Sequence, residues 1–137
     1  MTDKIRVGVI GVGHLGQHHA RNYASIDGAE LVYVCDSNGG QGRKIAKAYG
    51  AKATKNYEDL IGKVDAVSIA TPTVTHFDIA EKLLKNGIHC MVEKPICTTV
   101  KEAAQLSITA AKNDLILQVG HIEHFNVGVQ KFKTILK

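Results

Sequence analysis

The chain switches hydrophobic period again and again, and that alternation limits what it can fold into. Residues 5–11 (IRVGVIG) are a β-branched run ending in glycine, and residues 14–26 follow with Leu15, Ala20, Tyr23 and Ala24 at helical spacing. Strand-like AELVYVCD (29–36) precedes helical GRKIAKAYG (42–50), which Gly50 closes. NYEDLIG (56–62) reads as a short helix, VDAVSIATP (64–72) as a strand, and THFDIAEKLLKNG (75–87) as a helix stopped by Asn86-Gly87. IHCMVEKP (88–95) is strand-like, and residues 99–113 are helical, with Thr99 and Glu102 at capping-box spacing. LILQVGH (115–121) is the last strand-like run, and residues 129–137 begin a further helix. Strands separated by helices pair in parallel, because only a crossover can return the chain to the same end of the sheet. The expected fold is therefore α/β, a doubly wound parallel sheet of Rossmann type. Its strands are nearly continuous apolar runs, as fits a sheet covered on both faces.

The length of 137 residues suits a single domain. The apolar runs, such as residues 66–70, are far too short to span a bilayer, and no signal-peptide apolar core precedes the first glycine. Cys35, Cys90 and Cys97 are an odd, scattered set without a CxxC pair, which fits a reducing compartment; the expected location is cytoplasmic. The net charge of +4 comes from dispersed lysines, with no basic block, so nucleic acid is not an expected partner. His14 and His18 stand four apart and His121 and His124 three apart, but no acid or cysteine joins them at a ligand spacing; no metal is expected.

Gly11, Gly13 and Gly16 spell G-x-G-x-x-G at the first strand-to-helix turn. The first glycine permits the sharp turn, the second lets backbone approach a pyrophosphate, and the third lets helix pack on strand. N–H groups at the helix start then face the phosphates, and His14 and Leu15 lie within the same loop. Asp36 follows 20 residues after Gly16 at the end of the second strand, where a carboxylate accepts hydrogen bonds from an adenosine ribose; Ser37 stands beside it. A carboxylate there repels a 2′-phosphate, so NAD is favoured over NADP, although Arg43 and Lys44 lie near enough to offer a phosphate two cations.

Thr71 and Pro72 end the strand-like run at 64–72, and carboxyl ends of such strands face the ligand crevice. Thr71, Pro72 and His76 are accordingly cofactor contacts, or else Pro72 shapes a turn and Thr75 caps a helix. Glu93 and Lys94 close the next strand at the same end of the sheet. Lys94 there is a candidate to hold a substrate hydroxyl or assist proton transfer, with Glu93 keeping it charged or oriented. His121, at the end of the last strand, is a candidate substrate contact.

A glycine loop at the first turn, ATPTVTH, then EKP, then a strand ending in GH resembles the N-terminal half of the Gfo/Idh/MocA oxidoreductases over essentially the whole chain. The resemblance implies that Lys94 lines the junction of nicotinamide and substrate, that Glu93 belongs with the cofactor-facing residues, and that Pro95 sits in an often cis turn. It implies a sugar-like small-molecule substrate, and a second α/β domain that supplies a catalytic histidine and the usual oligomer interface. Residues 1–121 then form the dinucleotide-binding domain, and 122–137 lead into that substrate domain, so the chain reads as one part of a two-domain protein. The tail GHIEHFNV resembles the GHxERFNP pattern of sugar-nucleotide 3-dehydrogenases in the family, with His124 in place of arginine and Val127 in place of proline. A non-catalytic module that binds or senses NAD is the rival reading; Lys94 and the tail favour the dehydrogenase. Phe125, Val129 and Phe132 form an apolar patch expected to drive self-association of the isolated domain.

Overall fold

The computed structural model describes residues 3–136; Met1, Thr2 and Lys137, the outer ends of the expected 1–121 and 129–137 segments, lie outside the described residues. Six strands pair in parallel in the order β3-β2-β1-β4-β5-β6. They are β1 (Ile5–Ile10), β2 (Ala29–Cys35), β3 (Lys52–Thr54), β4 (Ala66–Ile69), β5 (His89–Val92) and β6 (Leu117–Val119). The helices are α1 (Gly16–Ser25), α2 (Gly39–Tyr49), α3 (His76–Lys85), α4 (Val100–Lys112) and α5 (Val127–Ile135). The chain starts in the middle of the sheet and winds outward first through β2 and β3, then through β4, β5 and β6. Loops after β1 and β4 therefore diverge and leave a crevice at the carboxyl ends. The doubly wound α/β fold is the one the alternating periods required.

Two cores cover the two faces. Val9, Val12, Ala20, Val34, Ile45 and Ala46 pack between the sheet, α1 and α2. Ile69, Leu83, Leu84, Val92, Leu106 and Ala110 belong to the larger core, shared with α3 and α4. Among the described residues, no buried side-chain nitrogen or oxygen lacks a hydrogen-bond partner.

The differences from the sequence expectations have local causes. The three-residue edge strand β3 was not expected; KAT is too short to show a period, and pairing with Tyr33–Cys35 defines it. α2 starts at Gly39 instead of residue 42, because the Asn38 side chain accepts the N–H groups of Gly40 and Gln41 at 3.1 and 3.2 Å. Thr75 does not cap α3. A 3₁₀ turn (Thr73–Thr75) precedes that helix, and the Thr75 hydroxyl donates to the Pro72 carbonyl at 2.7 Å. β4, β5 and β6 stop short of the apolar runs that contain them: Ala70, Glu93 and Gly120 each give one last backbone N–H to the neighbouring strand, at 2.8, 2.9 and 2.8 Å, before the pairing ends. At α4 the expected capping box is formed between Thr99 and Glu102. The Lys94–Pro95 peptide is cis.

α5 packs against the 3₁₀ turn Ile122–Phe125 and leaves Ile122, Phe125, Phe132, Ile135 and Leu136 between 59 and 70% exposed. Among the described residues, no helix is long and apolar enough to cross a membrane.

Candidate functional site

The carboxyl ends of β1, β2 and β4 open onto a cavity of about 430 Å³. Gly11, Gly13, Asp36, Ser37, Thr71 and Pro72 line it, together with Ile10, Cys35, Lys55, Tyr57, Ala70, Thr75 and Ile79. Gly11 turns the chain at φ +82°, and a β-carbon there would press to 2.8 Å from the Ala70 carbonyl oxygen. At Gly13 the reverse holds: nothing lies within 4 Å of where a β-carbon would stand. The glycine loop is thus packed at its ends and open in its middle.

Asp36 fastens this loop. Its Oδ2 accepts the Val12 N–H at 2.9 Å and its Oδ1 the Asn38 N–H at 2.8 Å. The Gln41 side-chain amide donates to the Val12 carbonyl at 2.9 Å. A carboxylate has about four acceptor positions, so these two hydrogen bonds leave others unfilled. Arg43 and Lys55 line one shallow pocket beside Gly39, where Arg43 Nη1 and Lys55 Nζ stand 3.1 and 3.5 Å from the glycine's β-carbon position. Lys55 and Tyr57 line the cavity and were not singled out by the sequence, because they come from the β3 edge that it did not reveal.

The side-chain ion pair expected between Glu93 and Lys94 is not formed. Glu93 is only 7% exposed, and its Oε1 accepts the His19 Nε2–H at 2.8 Å. Oε2 receives the backbone N–H of Lys94 at 3.3 Å, while the Lys94 side chain is exposed. The other His19 ring nitrogen, Nδ1, lies 3.2 Å from the Ser68 hydroxyl, which lies 2.7 Å from the Tyr23 hydroxyl. Tyr23, His19, Ser68 and Glu93 form one hydrogen-bonded chain from α1 across β4 to the end of β5. Sequence reasoning missed the first three. The available signal was phase: His19 falls three residues after Gly16, on the helix face that Gly16 and Ala20 bury.

The remaining expected residues fall into separate groups. His76 is 1% exposed and does not line the cavity; its Nε2 lies 2.8 Å from the Thr71 carbonyl and its Nδ1 3.0 Å from the Pro95 carbonyl. It ties the loop after β4 to the turn after β5 from beneath. His14 and Leu15 are exposed and do not line the cavity, and the His14 and His18 rings meet edge-on at 5.8 Å. Gly16 is buried against the loop's own backbone, and His121 is exposed just beyond β6. Burial pushes the Cys35 and Cys90 thiols up to about 12, and raises Cys97 as well, so these sulfurs keep their protons and are poor nucleophiles. Among the described residues, no group of three or more His, Cys, Asp or Glu side chains converges as a metal site would require.

An open parallel sheet with a glycine turn at its switch point and an acid after the second strand is a dinucleotide-binding domain. More narrowly, the chain belongs to the Gfo/Idh/MocA oxidoreductases: the family described as "Oxidoreductase family, NAD-binding Rossmann fold" matches residues 5–121. The chain is 41% identical over 126 residues to UDP-N-acetylglucosamine 3-dehydrogenase of Acidithiobacillus ferrooxidans, covering 92% of this chain and 40% of that protein. To scyllo-inositol 2-dehydrogenase (NAD(+)) of Bacillus subtilis it is 36% identical, over 92% of this chain and 38% of that one. The solved structure of the Acidithiobacillus enzyme superposes with a TM-score of 0.90, covering 98% of this chain and 44% of that chain at 39% identity. Scyllo-inositol dehydrogenase of Lactobacillus casei with bound NAD(H) and scyllo-inositol gives 0.90 at 26% identity, over 98% of this chain and 41% of that chain. The chain spans about two fifths of the length of these relatives.

Proposed function

We propose that this chain is the cofactor-binding part of a cytoplasmic NAD-dependent dehydrogenase acting on a secondary alcohol of a sugar, cyclitol or nucleotide sugar. The observation that carries the reading is the Asp36 carboxylate, held by the Val12 and Asn38 N–H groups at the mouth of the glycine-loop cavity with acceptor positions to spare. The open space at Gly13 fits a pyrophosphate, and Asp36 fits a ribose diol. NAD, and not NADP, follows from the repulsion a 2′-phosphate would meet at Asp36, with Arg43 and Lys55 the residues that would weigh against it.

Gly11, Gly13, Gly16, His14 and Leu15 make up the phosphate loop in this reading, Asp36 and Ser37 take the ribose, and Thr71 and Pro72 flank the nicotinamide half. When bound, the nicotinamide supplies the hydride acceptor or donor. The alcohol would lose its carbinol hydrogen as hydride to the nicotinamide and its hydroxyl hydrogen as a proton to a base, the catalytic histidine that the family resemblance implies in a second domain, leaving a carbonyl. Lys94 is the residue that would donate a hydrogen bond to that oxygen, with His121 as a second substrate contact. Residues 1–121 are the dinucleotide unit and 122–137 the start of the connection to a substrate-binding domain. The names of the relatives support a sugar-like substrate class.

The test is a titration of the chain with NADH and with NADPH, followed by calorimetry. Saturable NADH binding with NADPH at least about tenfold weaker supports the reading. Preference for NADPH moves cofactor choice from Asp36 to Arg43 and Lys55, and binding of neither sinks the dinucleotide role.

A further inference from the structure

We propose that His19 is a positioning residue: by holding the Glu93 carboxylate it prevents Glu93 from capturing the Lys94 ammonium, and it ties Lys94 to the glycine-loop helix. The proposal rests on the reading of Lys94 as the group that faces substrate.

Burying a carboxylate costs free energy unless it is well bonded, and an apolar pair would pack here at less cost. The fold nevertheless seats this carboxylate with care. A β-carbon on Gly120 would lie 2.9 Å from Glu93 Oε1, so the position directly after β6 carries a residue that leaves room for the carboxylate. Oε1 takes the imidazole N–H at 2.8 Å and Oε2 takes the Lys94 backbone N–H at 3.3 Å. The ring is fixed in turn through Ser68, fully buried, and Tyr23. His19 stands three residues into α1 from Gly16, while Glu93 directly precedes Lys94. One hydrogen bond thus joins the element that starts at the phosphate loop to the turn that carries the lysine. Without His19, a buried carboxylate would lack its partner, and the nearest cation along the chain is the Lys94 ammonium. Pairing with it would draw Lys94 away from substrate.

The experiment measures the rate at which acetic anhydride acylates Lys94 in the cofactor-free chain, normalised to other exposed lysines by mass spectrometry. An ammonium held by a carboxylate yields its proton less readily, so His19→Leu should slow Lys94 labelling by about tenfold. The double variant His19→Leu/Glu93→Gln, with no carboxylate to capture the lysine, should restore the wild-type rate. A merely structural role for His19 would not produce that rescue. His19→Gln, which keeps a donor, should label like wild type. If His19→Leu does not fold, His19→Asn is used instead, since its short amide stays polar but does not span to Glu93. Wild-type labelling in the Leu or Asn variant overturns the proposal, as does slowed labelling that Glu93→Gln fails to relieve. NADH binding is measured in parallel: its failure in the wild-type chain sinks the dinucleotide reading, while the labelling series decides the His19–Glu93 pair on its own.

Discussion

A β-carbon built on Gly16 would stand 1.7 Å from the carbonyl oxygen of Gly11, well inside any van der Waals contact. The start of α1 is therefore pressed directly onto the turn that precedes it, and the obstacle is backbone, which cannot swing aside. Gly16→Ala should cost more than about 3 kcal/mol, read as a large drop in the urea midpoint. Gly13→Ala meets nothing and should leave the midpoint nearly unchanged, yet lower NADH affinity about tenfold or more by filling the space where a pyrophosphate would lie. Equal loss of stability in both variants would contradict this division of labour.

Asp36 holds the loop and, in the proposed function, also takes the ligand's ribose. Asp36→Ala removes the acceptor for the Val12 and Asn38 N–H groups, so both affinity and stability should fall. Asp36→Asn keeps one acceptor oxygen and should lose less stability, while NADH affinity still drops about tenfold to a hundredfold, as for a lost hydrogen bond to a charged group. Calorimetry should also show the preference for NADH over NADPH narrowing, because the repulsion of a 2′-phosphate has gone.

The buried thiols give a pH dependence of known sign. Cys35 and Cys90 titrate near 12 in the folded chain against an ordinary 9.0, because burial penalises the thiolate. The folded state thus keeps protons that the unfolded state has lost, and stability declines as pH rises from about 9 toward 12. The urea midpoint should be lower at about pH 10 than at about pH 7.5, and Cys35→Ala/Cys90→Ala should flatten that difference. Both thiols should resist a disulfide reagent at neutral pH until the chain unfolds.

Ile122, Phe125, Phe132, Ile135 and Leu136 expose apolar surface along α5 and the turn before it. The expected patch at Phe125, Val129 and Phe132 is only partly as read, since Val129 is half-buried while Ile135 and Leu136 are exposed. The isolated chain should self-associate as its concentration rises, and Phe125→Ser/Phe132→Ser should return it toward monomer in sedimentation velocity. A wild-type profile that stays monomeric at high concentration would remove this expectation.

The alternation of strands and helices apart from β3, the capping box at Thr99 and the glycine loop were legible in the sequence because each depends on residues near one another along the chain, and Asp36 was legible because it stands at a fixed interval after that loop. Period reports which face is buried, and glycine spacing reports a turn. The partner of Glu93 was not legible in this way. The residue beside it in sequence is Lys94, yet the fold gives its carboxylate to His19, 74 positions away. The same holds for Ser68, which meets His19 and Tyr23 from 49 and 45 positions away, and for His76, which joins two loops from beneath the cavity. Lys55 and Tyr57 reach the cleft through β3, a strand too short to have a period. The contacts of Glu93, His19, Ser68 and Tyr23 exist only once β4 and β5 lie side by side with α1 across them. Local spacing determined the scaffold and the loop. Burial in the assembled sheet decided which charges meet, because a carboxylate removed from water takes the partner that geometry offers, and not the one that stands next in the chain.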